Sequence, residues 1–168
     1  MVKQLTKNEL LEALKTFTED ALSGLRLPVE MQEEDEAPLP PRAPEVHTMG
    51  LSDYTEAKRK APYVIHQVIT ARDVQQPGQQ PESTAVVRSV FAVYHPDGHE
   101  GPLALLECME RLRIGLLRQG VVGKQFTLDT RAGVEYLIYP DNIPPFYAGE
   151  MASTWNLPPV KREVAKWL

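Results

Sequence analysis

The sequence predicts an α+β domain, a small and mainly antiparallel sheet packed by two principal helices, with an extended acidic, proline-rich linker. Three observations predict this class. Two stretches carry apolar residues at helical spacing, several runs rich in β-branched and aromatic residues have the character of strands, and five of the 15 prolines fall between residues 28 and 44. We therefore divide the 168 residues into an N-terminal helix at 1–27, a linker or arm at 28–60, and an α+β core at 61–168.

The N-terminal helix carries its own start and stop signals. Thr6 and Glu9 form a capping box, in which each side chain satisfies a backbone N–H at the helix start. Leu5 and Leu10 stand where a hydrophobic staple closes over such a cap, and Gly24 suits a left-handed helix end. One apolar stripe follows at spacings of four, three and four residues: Leu10, Leu14, Phe17 and Ala21.

The segment that follows concentrates the acidity of the chain. The protein has 18 Lys and Arg against 23 Asp and Glu, a formal net charge of −5. Five acids with no base among them account for that excess: Glu30, Glu33, Glu34, Asp35 and Glu36. The rest of the chain is neutral, which argues against a nucleic-acid reader held by phosphate contacts. Together with the prolines, these charges predict either a solvated surface connection or an arm that orders against a neighbouring subunit.

Two strands and a long helix are predicted next. Residues 61–71 and 84–94 have strand composition and are joined by a polar loop at 73–81, so they predict a hairpin. The second strand is apolar on both faces, which predicts a central position in the sheet, covered on two sides. Residues 95–100 form a turn, and a helix follows from Pro102 to the region before Gly120.

This second helix is apolar on two sides. Leu105, Met109, Leu112 and Leu116 share one face, whereas Leu103, Leu106, Ile114 and Leu117 lie broadly on another. A helix of this kind must be covered twice. The sheet is one cover, and the other is the first helix or another subunit.

The last third of the chain predicts short strands at 126–128, 134–139 and 151–155. Seven of the 12 aromatic residues lie between Phe126 and Trp167. Tyrosine and tryptophan are favoured both in cores and at interfaces, so core packing and subunit contact fit these residues equally well.

Motifs for chemistry are weak. His95, Asp97, His99 and Glu100 crowd one turn, but nothing in the sequence fixes them as metal ligands. Cys108 lies inside a predicted helix, which favours a small core residue over a nucleophile. Neither a G-x-S-x-G elbow nor a phosphate-binding glycine motif occurs. We therefore expect no catalytic residue, no metal and no cofactor.

No apolar stretch approaches the roughly 20 residues that a membrane helix needs, and the N-terminus lacks an apolar signal core. We therefore expect no membrane partner and a protein that stays inside the cell that makes it.

Four stretches together resemble a known family: the strand at 62–66, the apolar strand at 86–93, the helical run LLECMERLR at 105–113, and PFYAGEMASTWNLPP at 145–159. The chain from 61 to 163 resembles the tail terminator (tail completion) proteins of long-tailed bacteriophages. The N-terminal helix and the acidic segment have no counterpart in this resemblance.

The resemblance implies a structural virion protein and not an enzyme. Such proteins form a homohexameric ring on the last ring of the tail tube, stop its polymerisation and offer a surface for head joining. The implied partners are other copies of the chain, the tail tube protein, a head-completion or neck protein, and double-stranded DNA that passes through the lumen without specific binding. The implied location is the virion tail or neck, after synthesis in the bacterial host cytoplasm.

Three sets of site residues follow from this hypothesis. Subunit contacts are assigned to Tyr147, Glu150, Met151 and Trp155. The helix arginines Arg111, Arg113 and Arg118 are assigned to ion pairs with Glu30 to Glu36 of a neighbour. Contact with the tail tube is assigned to the polar loop, at Asp73, Gln75, Gln76, Gly78 and Gln79. The acids that line the lumen or form the arm are Glu33, Glu34, Asp35 and Glu36.

Two other functions stay open. The nearer is another neck component, such as a head-completion or stopper protein. The more distant is a small cytoplasmic enzyme or ligand-binding domain with a site among His66, His95 and His99.

Overall fold

The computed structural model describes residues 3–51 and 60–163, which fold as two helices and one seven-stranded sheet. The helices are α1 (Lys7–Leu22) and α2 (Glu100–Gln119). The strands are β1 (Glu45–Thr48), β2 (Tyr63–Val74), β3 (Glu82–Tyr94), β4 (Val121–Val122), β5 (Phe126–Leu128), β6 (Val134–Ile138) and β7 (Phe146–Leu157).

The sheet is mixed but mainly antiparallel. Its strand order is β1-β2-β3-β7-β5-β4, and β6 also pairs with β7. β1 runs parallel to β2, whereas the other pairs are antiparallel. The prediction of an α+β fold with a mainly antiparallel sheet and two helices is therefore confirmed.

β3 and β7 form the centre of the sheet. They pair from Ser83 opposite Leu157 to Tyr94 opposite Phe146, so β7 is much longer than the strand predicted at 151–155. Gly149 explains part of the difference. A Cβ there would lie 2.8 Å from the carbonyl oxygen of Leu137, so β6 can approach this closely only because the residue is glycine. Glycine is uncommon inside strands, and its presence therefore argued against a strand at this position.

The hairpin of β2 and β3 is confirmed, and it contains a bulge. Val68 pairs with Val87 and Thr70 pairs with Val86, which leaves Ile69 as the extra residue. Beyond the bulge both strands continue further than predicted, to Val74 and from Glu82.

The segment assigned to the linker contains a strand that the sequence analysis missed. β1 pairs in parallel with the first residues of β2, and Val46 is buried. Before it, Leu27 and Arg42 exchange backbone hydrogen bonds of 2.8 and 3.0 Å. The Arg42 guanidinium also donates to the carbonyl oxygen of Pro62 at 3.0 Å, which ties this stretch to the start of β2.

Both helices lie on one face of the sheet. α1 starts as predicted, with the Thr6 hydroxyl accepting a 3.4 Å hydrogen bond from the Glu9 N–H. A Cβ at Gly115 of α2 would lie 3.2 Å from the Phe17 ring, so the two helices approach closely there. The main core lies between helices and sheet and includes Leu10, Leu14, Phe91, Leu105, Met109, Leu112, Met151 and Trp155. Neither helix is long and apolar enough to cross a membrane; this holds for the described residues.

Candidate assembly surfaces

Three of the four residues assigned to a subunit contact on β7 belong to the core of the chain itself. Tyr147, Met151 and Trp155 alternate on the strand face that meets the helices, and each is at most 5% exposed. The Trp155 indole N–H donates to the Ser153 hydroxyl at 2.9 Å, also in the interior. The prediction of a surface contact through these three is corrected, because side chains buried under the helices are not available to a neighbouring copy.

Glu150, the fourth residue, points to the other face of the sheet. Its carboxylate lies 2.5 Å from the Arg88 guanidinium, and the Tyr139 hydroxyl approaches the same guanidinium at 3.4 Å. The neighbouring hydroxyl and the Glu150 carboxylate raise the pKa of Arg88. This ion pair stands in the middle of a sheet face that neither helix covers.

The uncovered face contains a groove of about 480 Å³ that spans β2, β3, β7 and β6. We call it the open-face groove, and the side chains that define it are Ile69, Arg88, Glu135, Leu137, Glu150 and Ala152. Ile69 and Leu137 are 52% and 54% exposed, so the groove presents aliphatic side chains to solvent at both of its sides. Among the described residues, the helices cover one face of β3, and the other face is open at the groove, so the expected cover on both sides is incomplete there.

The second uncovered surface lies on α2. Leu105, Met109, Leu112 and Leu116 are buried against the sheet. The other predicted face, which we call the outer stripe, consists of Leu103, Leu106, Ile114 and Leu117. It lies about 130° around the helix axis from the buried face, since successive residues are separated by about 100°. Leu103, Ile114 and Leu117 are between 43% and 49% exposed. The sequence predicted that both apolar sides of α2 are covered, and α1 does not cover this second side.

Charged residues border the outer stripe. Arg111 contacts Glu107 on its own helix at 2.8 Å, and Arg113 pairs with Glu110. Arg118 is exposed in the last turn and forms no ion pair within residues 3–51 and 60–163. Of the three arginines assigned to an intersubunit contact, Arg118 is therefore the one that forms no ion pair within the described residues.

The polar loop assigned to the tail tube is exposed at its tip and held at its base. Asp73 belongs to β2 and lies 3.6 Å from Lys7 at the start of α1, while the Gln75 amide donates to the Val160 carbonyl at 2.7 Å. Gln76, Gly78 and Gln79 form the exposed turn, with Gly78 at a φ of +76° that favours glycine. The loop therefore projects as a short turn on a hairpin that other segments brace.

The acidic residues Glu33, Glu34 and Glu36 are exposed, and Asp35 is half-buried. The Asp35 carboxylate accepts a 2.8 Å hydrogen bond from the Gln32 N–H, which closes a local turn. The cluster therefore presents its charge to solvent on a compact turn.

The histidines considered for a ligand site lie in different environments. His66 is fully buried under α1, where Nε2 lies 2.8 Å from the Thr18 hydroxyl and Nδ1 lies 2.7 Å from the Ser89 hydroxyl. Desolvation lowers the pKa of His66 to about 4. His95 is six residues beyond Ser89, about 20 Å along an extended strand. The structure therefore does not bring His66 together with the turn that carries His95 and His99.

That turn caps α2. The Asp97 carboxylate accepts hydrogen bonds from the backbone N–H groups of Glu100 at 3.1 Å and His99 at 2.8 Å, and these bonds hold the pKa of Asp97 below its usual range. The described residues contain no group of three or more His, Cys, Asp or Glu arranged to hold a metal ion. Burial raises the pKa of Cys108 to about 12, which keeps this thiol protonated.

The open-face groove and the outer stripe are therefore the features of the described residues that bear most directly on function. They differ in shape and lie on different sides of the molecule. The chain matches no protein-family model and no curated protein.

Proposed function

We propose that the protein is a structural virion component that forms a ring, caps the phage tail tube, stops its polymerisation and provides the head-joining surface. One observation carries the proposal: two dissimilar surfaces that expose aliphatic side chains, the open-face groove and the outer stripe, lie on different sides of the chain and are left uncovered by the described residues. The resemblance of residues 61–163 to tail terminator proteins supports the same function.

The physical link between these surfaces and a ring is the symmetry of assembly. Contiguous exposed apolar groups mark interaction surfaces in soluble proteins. When two different surfaces of identical subunits bind each other, the contact is heterologous, and a ring results if the rotation closes. A homohexamer of this kind covers both surfaces in every subunit and leaves the two rims free for other proteins.

The rims then bind different partners. In this proposal the loop tip at Gln76, Gly78 and Gln79 contacts the tail tube protein, and the opposite rim meets a head-completion or neck protein. Double-stranded DNA passes through the lumen without specific binding. Acids such as Glu33 and Glu34, if they line that lumen, repel the phosphates and keep the duplex mobile.

The direct test adds the purified full-length protein to polymerising tail tube protein and measures tube lengths and end caps by electron microscopy. Native mass spectrometry of the same protein reports its oligomeric state. We expect sixfold rings on tube ends and arrested growth. Unchanged tube growth with no protein on the ends contradicts the proposal, and rings that bind purified heads but not tubes assign the protein to a head-completion role.

The tube-contact loop has a separate test. Replacing residues 76–79 with a tight two-residue turn keeps the Gln75 contact with Val160 and the pairing of β2 with β3. We expect rings that form normally and no longer stop tube growth. If this variant caps tubes at the wild-type rate, the loop is not part of the contact with the tail tube protein.

A further inference from the structure

The open-face groove has the dimensions of a seat for a helix. It crosses from the bulge of β2 to β6, a span of three interstrand gaps and about 14 Å. An α-helix with its side chains is about 10–12 Å across. Ile69 and Leu137 stand at the two sides, and the small side chain of Ala152 lies between them.

The outer stripe of α2 is an apolar helical surface of matching character. Leu103 and Leu117 lie 14 residues apart, about 21 Å along the helix axis. The exposed aliphatic side chains therefore extend over about four turns of the helix. α1 has no comparable role, because its leucines are already buried in the core of the chain.

The groove and the C-terminal half of α2 carry opposite net charges. The groove carries Glu135 and Glu150 against Arg88, a net charge of −1. The charges of α2 as a whole balance, with Glu100, Glu107 and Glu110 against Arg111, Arg113 and Arg118. Its last ten residues, which include Ile114 and Leu117, carry the three arginines against Glu110 alone, a net charge of +2. Glu135 and Arg118 are the charges left over, since neither forms an ion pair within the described residues.

We propose that the occupant of the open-face groove is the outer stripe of α2 from a second copy of the chain, so that subunits associate head to tail. This inference rests on the proposed ring and specifies how its subunits meet. Leu117 and Ile114 pack between Ile69 and Leu137 of the neighbour, and Arg118 approaches Glu135. A stripe-to-stripe contact would instead leave the groove empty.

Complementary variants test this arrangement. Leu117→Asp spoils the stripe and Leu137→Asp spoils the groove, while Ile143→Asp is a matched control at a 70% exposed aliphatic side chain outside both surfaces. By native mass spectrometry we expect the first two variants to be monomeric and the control to assemble like wild type. Mixing the two monomeric variants should give a one-to-one dimer, because each retains the surface that the other has lost.

Cross-linking provides a readout for weak association. Leu117→Cys and Leu137→Cys are made singly and treated, alone and mixed, with a flexible bis-maleimide; the native Cys108 is buried. We expect little product from either variant alone and a mixed dimer from the pair. Dimers of Leu117→Cys alone, or no mixed dimer, overturn the head-to-tail contact.

A charge swap adds an independent check. Arg118→Glu and Glu135→Arg should each weaken assembly, and the double variant should recover at least part of it. Rings and tube capping that survive Leu117→Asp and Leu137→Asp refute this contact and leave the proposed function standing. Wild-type protein that neither assembles nor caps tubes refutes the function itself.

Discussion

His66 shows how a polar side chain can be held in a core without being a site. It is enclosed by α1 and the sheet, and its two ring nitrogens face the hydroxyls of Thr18 and Ser89. Both partners are neutral, so no nearby charge offsets the desolvation of an imidazolium. Burial is consequently the cause of the lowered pKa, and the neutral ring is the form that the fold accepts.

This burial makes stability depend on pH. The pKa of His66 is about 4 in the folded chain and 6.5 for a solvated histidine in the unfolded chain, so the unfolded state takes up a proton first as the pH falls. The contribution of the neutral His66 ring to the free energy of unfolding is complete above pH 6.5. It is lost as the pH falls toward 4, which lowers the free energy of unfolding by roughly 3 kcal/mol. Urea unfolding across this range measures it. The variant His66→Gln should show a correspondingly smaller loss, and an equal loss in both proteins would contradict the assignment.

Tyr147 presents the opposite case, a buried hydroxyl with no hydrogen-bond partner among residues 3–51 and 60–163. Its ring packs against Gly101, where an added Cβ would lie 2.2 Å from Cε2. An unsatisfied buried hydroxyl costs about 1–3 kcal/mol. We expect Tyr147→Phe to raise the free energy of unfolding by about 1 kcal/mol. Tyr139→Phe, which loses a contact with Arg88, is the control and should bring no gain.

The burial of Trp155 predicts that this side chain stabilises the fold. The side chain is fully buried, so Trp155→Ala should lower the free energy of unfolding by about 3–5 kcal/mol. Trp155→Phe should lose less because it retains most of the apolar volume. Chemical denaturation measures both changes, and native mass spectrometry reports the oligomeric state of the molecules that remain folded. If Trp155→Ala abolishes assembly without changing the free energy of unfolding, Trp155 belongs to a subunit interface after all.

At the scale of elements, α1 is held at its start by a cap and along its length by burial. Removing the Thr6 hydroxyl in Thr6→Ala should cost about 1 kcal/mol, since an N-terminal N–H loses its acceptor. Thr16→Ala, on the exposed side of the same helix, is the matched control and should be neutral or slightly stabilising because alanine is the better helix former. Thermal unfolding distinguishes the two. Equal effects at both positions would show that the cap contributes nothing.

The elements with local determinants could be predicted from the sequence. The capping residues gave the start of α1, and the alternation of side chains gave the β2–β3 hairpin. β1, β4 and the full length of β7 could not be predicted, because they depend on partners distant in the chain. Gly149 even argues locally against a strand, although its missing Cβ is what allows β6 to approach.

The candidate surfaces were predictable only in part. The spacing of the apolar residues along α2 predicted two apolar sides, and the outer stripe is one of them. The aromatic residues of β7 were not resolved, because tyrosine and tryptophan suit cores and interfaces for the same reason, their large apolar area. The open-face groove could not be predicted from the sequence, because Ile69 and Leu137 come from strands that are far apart in the chain. The bulge and the strand order of the sheet bring them to the same groove.

At the scale of the whole molecule, the helices shield one side of the sheet and leave the other to an assembly partner. This asymmetry makes concentration a variable in stability: if copies cover each other head to tail, mass action favours the folded chain as the protein concentration rises. Leu117→Asp should remove that dependence and lower the intrinsic stability of the monomer by no more than about 1 kcal/mol, because Leu117 is 46% exposed and only the helix end is affected. Melting temperatures over a dilution series measure both quantities. The control Ile143→Asp should retain the wild-type dependence.

The pairing of β3 with β7 also has a consequence for biosynthesis. The ribosome delivers β3 well before β7, with α2 and three short strands made in between. Until β7 emerges, the exposed edge of β3 is a long template for pairing with another nascent polypeptide. Prematurely terminated translation products that lack β7 should therefore be insoluble and depend on chaperones, although every residue of the hairpin is present in them.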